Sequence, residues 1–193
     1  MTDSIACFIL AGGKSSRFGS NKSLALVGSE PMAKIVANNL RSAFGGTAQL
    51  IGADQQSSLE LGLETFIGSR EGNGPLAAVV DAMEHAEQLI VAVAPNDTPF
   101  FSPMNFRALL AKLEDSSIDV AVAVSGTEFP QTHWLLSVWR KESCLPKLLV
   151  EYERGVRSVH GAVKDLHIAL VSFDANLVRN VNAVSDLSDR GTI

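Results

Sequence analysis

"IACFILAGGKSSRFGSNKS" (5–23) joins a continuous apolar run to a double glycine and then to a basic, serine-rich stretch. Six apolar residues without polar alternation read as a strand buried on both faces, the kind found inside a parallel sheet. Gly12 and Gly13 lack Cβ atoms, so the backbone after the strand can bend sharply and bring its N–H groups against a phosphate or a base. Lys14, Arg17 and Lys22 add positive charge. Five residues separate Gly13 from Gly19 and no Lys-Ser/Thr pair follows directly, which excludes a Walker loop. The absence of Gly-x-Gly excludes a dinucleotide fingerprint. On composition alone the stretch is either a phosphate cradle or a glycine turn followed by a solvated basic loop.

Outward from this strand, short apolar or β-branched runs recur at "AQLI" (48–51), "TFI" (65–67), "LIVAVA" (89–94), "DVAVAV" (119–124) and "HIALVSF" (167–173). Between them apolar residues fall at helical spacing: Met32, Ile35, Val36 and Leu40; Leu76, Val79, Val80 and Met83; Phe106, Leu109, Leu110 and Leu113; Leu145, Leu148, Leu149 and Tyr152. Pro31 and Pro75 suit helix starts, and Ser102 before Pro103 reads as an N-cap followed by a first-turn proline. Alternation of strands and helices over the first 124 residues predicts a mainly parallel sheet covered on both faces, a three-layer α/β/α sandwich. In "SSIDVAVAVSGTEFPQTHWLLSVWR" (116–140) two strand-like runs follow each other with only "SGTEFPQT" between them. This predicts a local antiparallel excursion in the C-terminal half. No repeat, low-complexity tract or long linker divides the chain, so residues 1–193 read as one domain.

The 193 residues are 46% hydrophobic and 19% charged, enough for a full-sized core. A net charge of −5 and a pI near 5.3 argue against general affinity for nucleic-acid backbone, so any basic site is local. Cys7 and Cys144 have neither metal-ligand spacing nor the density of a disulfide scaffold, which fits a reducing cytoplasm. The opening "MTDSIACFILAGG" has no basic region and too short an apolar stretch for a signal core or membrane span. His85, His133, His160 and His167 form no H-x-x-x-H pair, and no G-x-S-x-G elbow occurs, so zinc-type sites and nucleophilic catalysis are unsupported. His133, beside Trp134, reads equally as a strand-edge residue packing on the indole.

Ligands of parallel α/β sheets bind outside the carboxyl ends of the strands. "VAVAPNDTPFFSP" (91–103) delivers Asp97 to such an end between Pro95 and Pro99. A single carboxylate near phosphates suits Mg²⁺, which otherwise takes water and phosphate oxygens; "ND" near a proline equally suits a turn. "REGNGPLAAVVDAM" (70–83) sets Gly72, Gly74 and Pro75 before a helix, either facing an anion or base edge or forming a tight loop entry.

Taken together, "ILAGGKSSRFGSNKS" (9–23), "GPLAAV" (74–79), "PNDTPF" (95–100), "PQTHWLLSVWR" (130–140), "YERGVRSV" (152–159) and "VRNVNAVSDL" (178–187) resemble, in order and spacing, the molybdenum cofactor guanylyltransferases. The resemblance covers nearly the whole chain. Its first motif is the nucleotidyltransferase signature, with Gly12 where cytidylyl relatives carry alanine, which favours guanine. The resemblance implies a Rossmann-like nucleotidyltransferase fold. It also implies attack by a terminal phosphate oxygen of the molybdenum–molybdopterin substrate on the α-phosphorus of GTP, with Mg²⁺ required and pyrophosphate released.

Carried onto this chain, the resemblance assigns Leu10, Ala11 and Gly12 to the guanine, and Gly13 to the wrap of backbone around the phosphates. Arg17 and Lys22 neutralise phosphate charge, Asp97 coordinates Mg²⁺, and Gly74, Pro75 and Leu76 lie along the nucleoside. Arg157, Asn180 and Asn182 belong to the side that receives molybdopterin. Transient contact with cofactor-synthesis proteins or recipient molybdoenzymes is also implied. The chain departs from the family pattern at Phe18, Asn21 and Gly52, at Ser69 and Glu71 where an aspartate precedes the G-P-L motif, and in "NVNAVSDL". Two other readings stay open at this level. One is a sister enzyme using CTP, or one acting on a sugar-phosphate or phospholactate acceptor; the other is a catalytically weak nucleotide- or cofactor-binding relative.

Overall fold

A computed structural model of the chain describes residues 5–11 and 22–181. Strand β1 (Ile5–Leu10) is followed, after a 3₁₀ turn at Lys22–Leu24, by a two-stranded ribbon, β2 (Leu26–Val27) and β3 (Glu30–Pro31). Then come α1 (Met32–Phe44), β4 (Ala48–Ile51), α2 (Gln55–Leu61), β5 (Thr65–Phe66), α3 (Pro75–His85), β6 (Ile90–Pro95) and α4 (Pro103–Lys112). The C-terminal half holds β7 (Val120–Ser125), β8 (Gln131–Arg140), α5 (Lys141–Glu153), α6 (Val159–Ala162), β9 (Ile168–Phe173) and α7 (Ala175–Val178). The expected helix starts hold at Pro75, the first residue of α3, and at Ser102, whose hydroxyl accepts from the Asn105 N–H. Pro31 sits one residue earlier than a first-turn proline, at the extended N-cap of α1.

Seven strands form one sheet in the order β5-β4-β1-β6-β8-β7-β9. All neighbours are parallel except β8, which runs antiparallel to both β6 and β7 and is the predicted excursion. The second half therefore continues the same sheet. Alternate side chains of each strand feed opposite faces. Cys7, Ile9, Ala92, Ala94, Ala121 and Ala123 pack under α1, α2, α4 and α7, whereas Phe8, Val91, Val93, Val120 and Val122 pack under α3, α5 and α6. The first face is lined by alanines from β6 and β7, and the second by valines from the same strands. Cys7 and Cys144 are buried free thiols pushed up to about 12 by that burial, so both act as small core residues. Among the described residues no helix is long and apolar enough to cross a membrane.

Strand β8 also breaks the sheet locally. Val122 pairs with Ser137 and Ala123 with His133, so Trp134, Leu135 and Leu136 bulge out opposite no residue of β7. The Ser137 hydroxyl donates to the Trp134 carbonyl at 2.9 Å and accepts from the Trp139 indole N–H at 2.7 Å, which fixes the bulge. Pairing of β8 with β6 ends at Val93 and Ser137, while pairing with β7 continues to Ser125 and Gln131. A split thus opens between β6 and β8 at the carboxyl edge of the sheet.

Candidate active site

Strands β1 and β6 lie side by side with β4 and β5 on one flank and β8, β7 and β9 on the other, so the chain reverses its direction of travel across the sheet between them. This is the topological switch point at which open α/β sheets bind ligands. Leu10 pairs with Pro95, the Asn96 N–H donates to the Leu10 carbonyl at 3.2 Å, and the Ala11 N–H donates to the Ile51 carbonyl at 2.9 Å. The amide Nδ2 of Asn96 donates to Ser23 Oγ at 2.8 Å, with both residues buried. The chain that leaves β1 at Ala11 therefore returns at the Lys22–Leu24 turn beside the end of β6. Gly12, Gly13, Arg17, Asn182 and the Lys22 side chain lie outside the described residues, as does Asn21.

Asp97 stands one residue beyond Asn96, in a turn, and is 8% exposed. Strand end and turn are thus one feature. No group of three or more His, Cys, Asp or Glu side chains gathers among the described residues. A single buried carboxylate fits Mg²⁺, a hard cation that keeps several waters and draws its other ligands from substrate phosphates, better than a metal requiring a protein cage.

The loop before α3 is held by a residue the sequence reading passed over. Asp81, buried on α3, accepts from the Arg70 main-chain N–H at 3.1 Å and the Ser69 hydroxyl at 3.3 Å, and pairs with Arg70 Nη1 at 2.7 Å. Glu84 accepts from the same guanidinium at 2.6 Å, and these hydrogen bonds, that to Glu84 foremost, raise the basicity of Arg70. A Cβ on Gly68 would lie 1.9 Å from Asp81 Oδ2, so this close approach requires glycine. Ser69 thus anchors the loop rather than facing outward in place of a ligand carboxylate, and Glu71 is exposed. The signal for Asp81 was a lone charge inside the apolar run "LAAVVDAM".

Gly74 adopts φ +90° at the N-cap of α3, a conformation few side chains tolerate. The Leu76 N–H donates to the Arg157 carbonyl at 3.1 Å, so residues assigned to the nucleoside and to the acceptor meet through the backbone. The Arg157 guanidinium lies 4.2 Å from the Tyr152 ring centroid and donates to the Tyr152 and Val156 carbonyls at 2.8 and 2.9 Å.

At the other end of the site, Arg179 stacks over Phe100 at 4.7 Å, and the Val181 N–H donates to the Asp97 carbonyl at 2.9 Å. Asn180, between them, is brought to the Asp97 turn. His133 does not pack on Trp134. The indole meets His160 at 5.5 Å instead, and His133 Nε2 lies 2.8 Å from Ser125 Oγ. Successive residues of a strand project to opposite faces of the sheet, so the two neighbours point apart.

With this geometry in hand, comparisons with known proteins give a consistent picture. A family model described as the MobA-like NTP transferase domain matches residues 7–166. The chain is 30% identical over 195 residues to the molybdenum cofactor guanylyltransferase of Pasteurella multocida, covering 97% of this chain and 99% of that protein. It is 32% identical over 184 residues to a probable molybdenum cofactor guanylyltransferase of Deinococcus radiodurans, covering 94% and 91%. Its fold is similar to that of a solved molybdopterin-guanine dinucleotide biosynthesis protein A from Archaeoglobus fulgidus, with a TM-score of 0.72 at 21% identity and 94% coverage of each chain.

Proposed function

The chain belongs to the MobA-like NTP transferase family, and from that premise we propose that it transfers the guanylyl group of GTP to molybdopterin, releasing pyrophosphate. The observation that carries this reading is the convergence at one switch point of Leu10, Ala11, the Lys22–Leu24 turn, Asp97 and the Asn180–Val181 segment. A nucleotide loop and an acceptor segment meeting at a buried carboxylate is the arrangement that in-line transfer at an α-phosphorus needs.

In this reading the main chain of Leu10, Ala11 and Gly12 reads the guanine edge, and Gly13 lets the backbone follow the phosphates. Lys22 and Arg17 balance the triphosphate charge, Gly74, Pro75 and Leu76 support the nucleoside, and Arg157, Asn180 and Asn182 hold the acceptor. Asp97 is the residue that would hold Mg²⁺, which when bound supplies charge neutralisation at the phosphates. The acceptor's terminal phosphate oxygen forms the new bond to the α-phosphorus of GTP, and the bond to the pyrophosphate oxygen breaks. No protein nucleophile takes part; positioning and preorganised charge lower the barrier. Residues 1–193 act as one domain in the cytoplasm, and the single seven-stranded sheet, to which both halves of the chain contribute, supports the former.

Pyrophosphate release, measured anaerobically with molybdopterin, Mg²⁺ and each nucleoside triphosphate in turn, tests the reading. Turnover with GTP and little with CTP is expected. Equal turnover with CTP would overturn the base assignment, and tight GTP binding without pyrophosphate would favour a binding relative.

A further inference from the structure

The split at the carboxyl edge has two walls. One is the end of β6 with the Asp97 turn, and the other is the first half of β8, which parts from β6 beyond Ser137 while staying on β7 as far as Gln131. From the β8 wall His133 reaches across to β7, where its Nε2 lies 2.8 Å from Ser125 Oγ. His133 stands opposite Ala123, and Ala123 belongs to the face covered by α1, α4 and α7. The chain from Asp174 to Val181 crosses this region. It leaves β9 at Phe173, in register with Ser125, packs α7 against β7, and ends on the Asp97 carbonyl. The His133–Ser125 pair therefore lies along the path between β9 and Asp97 that carries Asn180.

The layer on this face of the sheet is apolar: Ala121, Ala123 and Val178 are buried in it and Phe173 packs against it. Ser125 is buried and His133 half-buried, and that burial holds the imidazole below its ordinary value, so it is neutral at pH 7. A neutral imidazole beside a hydroxyl offers one donor and one acceptor nitrogen without net charge. Such a pair suits the uncharged polar edge of a heterocycle and does nothing to balance a phosphate. Nε2 is engaged by Ser125, and Nδ1 makes no hydrogen bond to a described residue.

We propose that His133, oriented by Ser125, is a specificity-determining residue for the acceptor, with its free ring nitrogen hydrogen-bonding the neutral heterocyclic edge of molybdopterin lying in the split between β6 and β8. The inference rests on the guanylyl-transfer reading in taking molybdopterin as the acceptor.

Anaerobic equilibrium dialysis of the full chain against molybdopterin without nucleotide tests it, alongside GTP binding and initial rates at saturating GTP. His133→Leu is expected to weaken molybdopterin binding about tenfold, the loss of one buried hydrogen bond, with GTP affinity and kcat at saturating acceptor within about twofold. His133→Asn, which keeps a polar atom near Nδ1, is expected to restore most of the binding, and Ser125→Ala to fall between the two. Unchanged molybdopterin binding by His133→Leu would overturn the inference, as would a parallel loss of GTP binding, which marks a merely structural role. If the wild-type chain binds molybdopterin through His133 but turns over no GTP, guanylyl transfer fails and the inference stands. If the wild type binds no molybdopterin, both fall.

Discussion

The main-chain N–H of Val181 donates to the carbonyl oxygen of Asp97 over 2.9 Å. The carboxylate proposed to hold the metal and the segment that carries Asn180 are thereby joined at a single peptide unit. Because the bond uses backbone atoms, side-chain substitution at residue 97 leaves this junction intact. Chemistry and architecture at this point can be separated by mutation.

Asp97→Asn is expected to lower Mg²⁺-dependent turnover about a hundredfold or more, since the metal-holding charge is lost while the shape is kept. The melting temperature is expected to stay within about 2 °C of wild type. Pyrophosphate release and a thermal melt together check this, and wild-type turnover in the variant would remove Asp97 from the mechanism.

Lys22 and Ser23 are adjacent but should fail differently. Lys22→Ala is expected to raise KM for GTP with little change in stability. Ser23→Ala takes away the hydroxyl that accepts from buried Asn96 and is expected to cost about 1–3 kcal/mol of folding stability. Urea denaturation beside GTP kinetics distinguishes the two patterns.

In the loop before α3, Asp81→Ala removes the acceptor shared by Ser69, the Arg70 amide and the Arg70 guanidinium. A loss of about 2–4 kcal/mol is expected, as for a buried charge-assisted network, together with weaker GTP binding. Gly68→Ala, whose Cβ would collide with the Asp81 carboxylate, should reproduce both effects. Normal GTP affinity in either variant would show that the loop does not serve the nucleotide.

Stability at low pH should depend on Asp119. Burial, the largest single influence, disfavours its charge, but the Ser143 hydroxyl, the His167 N–H and the positive charges of Lys147 and His167 together outweigh it and hold the carboxyl below its ordinary value. Its folded-state value lies under its unfolded value, so its stabilisation is present above about pH 4 and is lost as pH falls through the folded value. Asp119→Asn is expected to lower the melting temperature at pH 7 and to flatten the acid limb of the stability curve. An unchanged acid limb would count against this assignment.

The sheet was legible because its strands are buried on both faces, so that "IACFIL", "LIVAVA" and "DVAVAV" stand out as unbroken apolar runs bounded by turns. Reversal at β8 was legible from the brevity of "SGTEFPQT", too short for a crossover helix. The bulge was not, because it depends on which residues of two strands face each other, and neither strand alone records that. Asp81 and Asn96 escaped for a related reason. Each works by reaching a partner distant in sequence, Ser69 and Arg70 in one case and Ser23 in the other. Gly52 illustrates the opposite situation. Its φ of +74° just after β4 lies in the left-handed region that suits glycine best, so a departure from the family pattern is explained by the backbone alone.

Strand β8 runs against its neighbours, so its far end and the start of α5 lie at the opposite edge of the sheet from Asp97. Over the width of the β8 and β7 positions, about 10 Å, the carboxyl edge receives a hairpin turn in place of a strand-to-helix crossover. That portion of the edge is architecturally spare. The hairpin at 126–130 joins β7 to β8 alone and touches none of β1, β4 or β6 in the sheet order, unlike the return from β9, which is tied to the end of β6 through Val181 and Asp97. The hairpin is thus the piece of the carboxyl edge whose remodelling costs the sheet least.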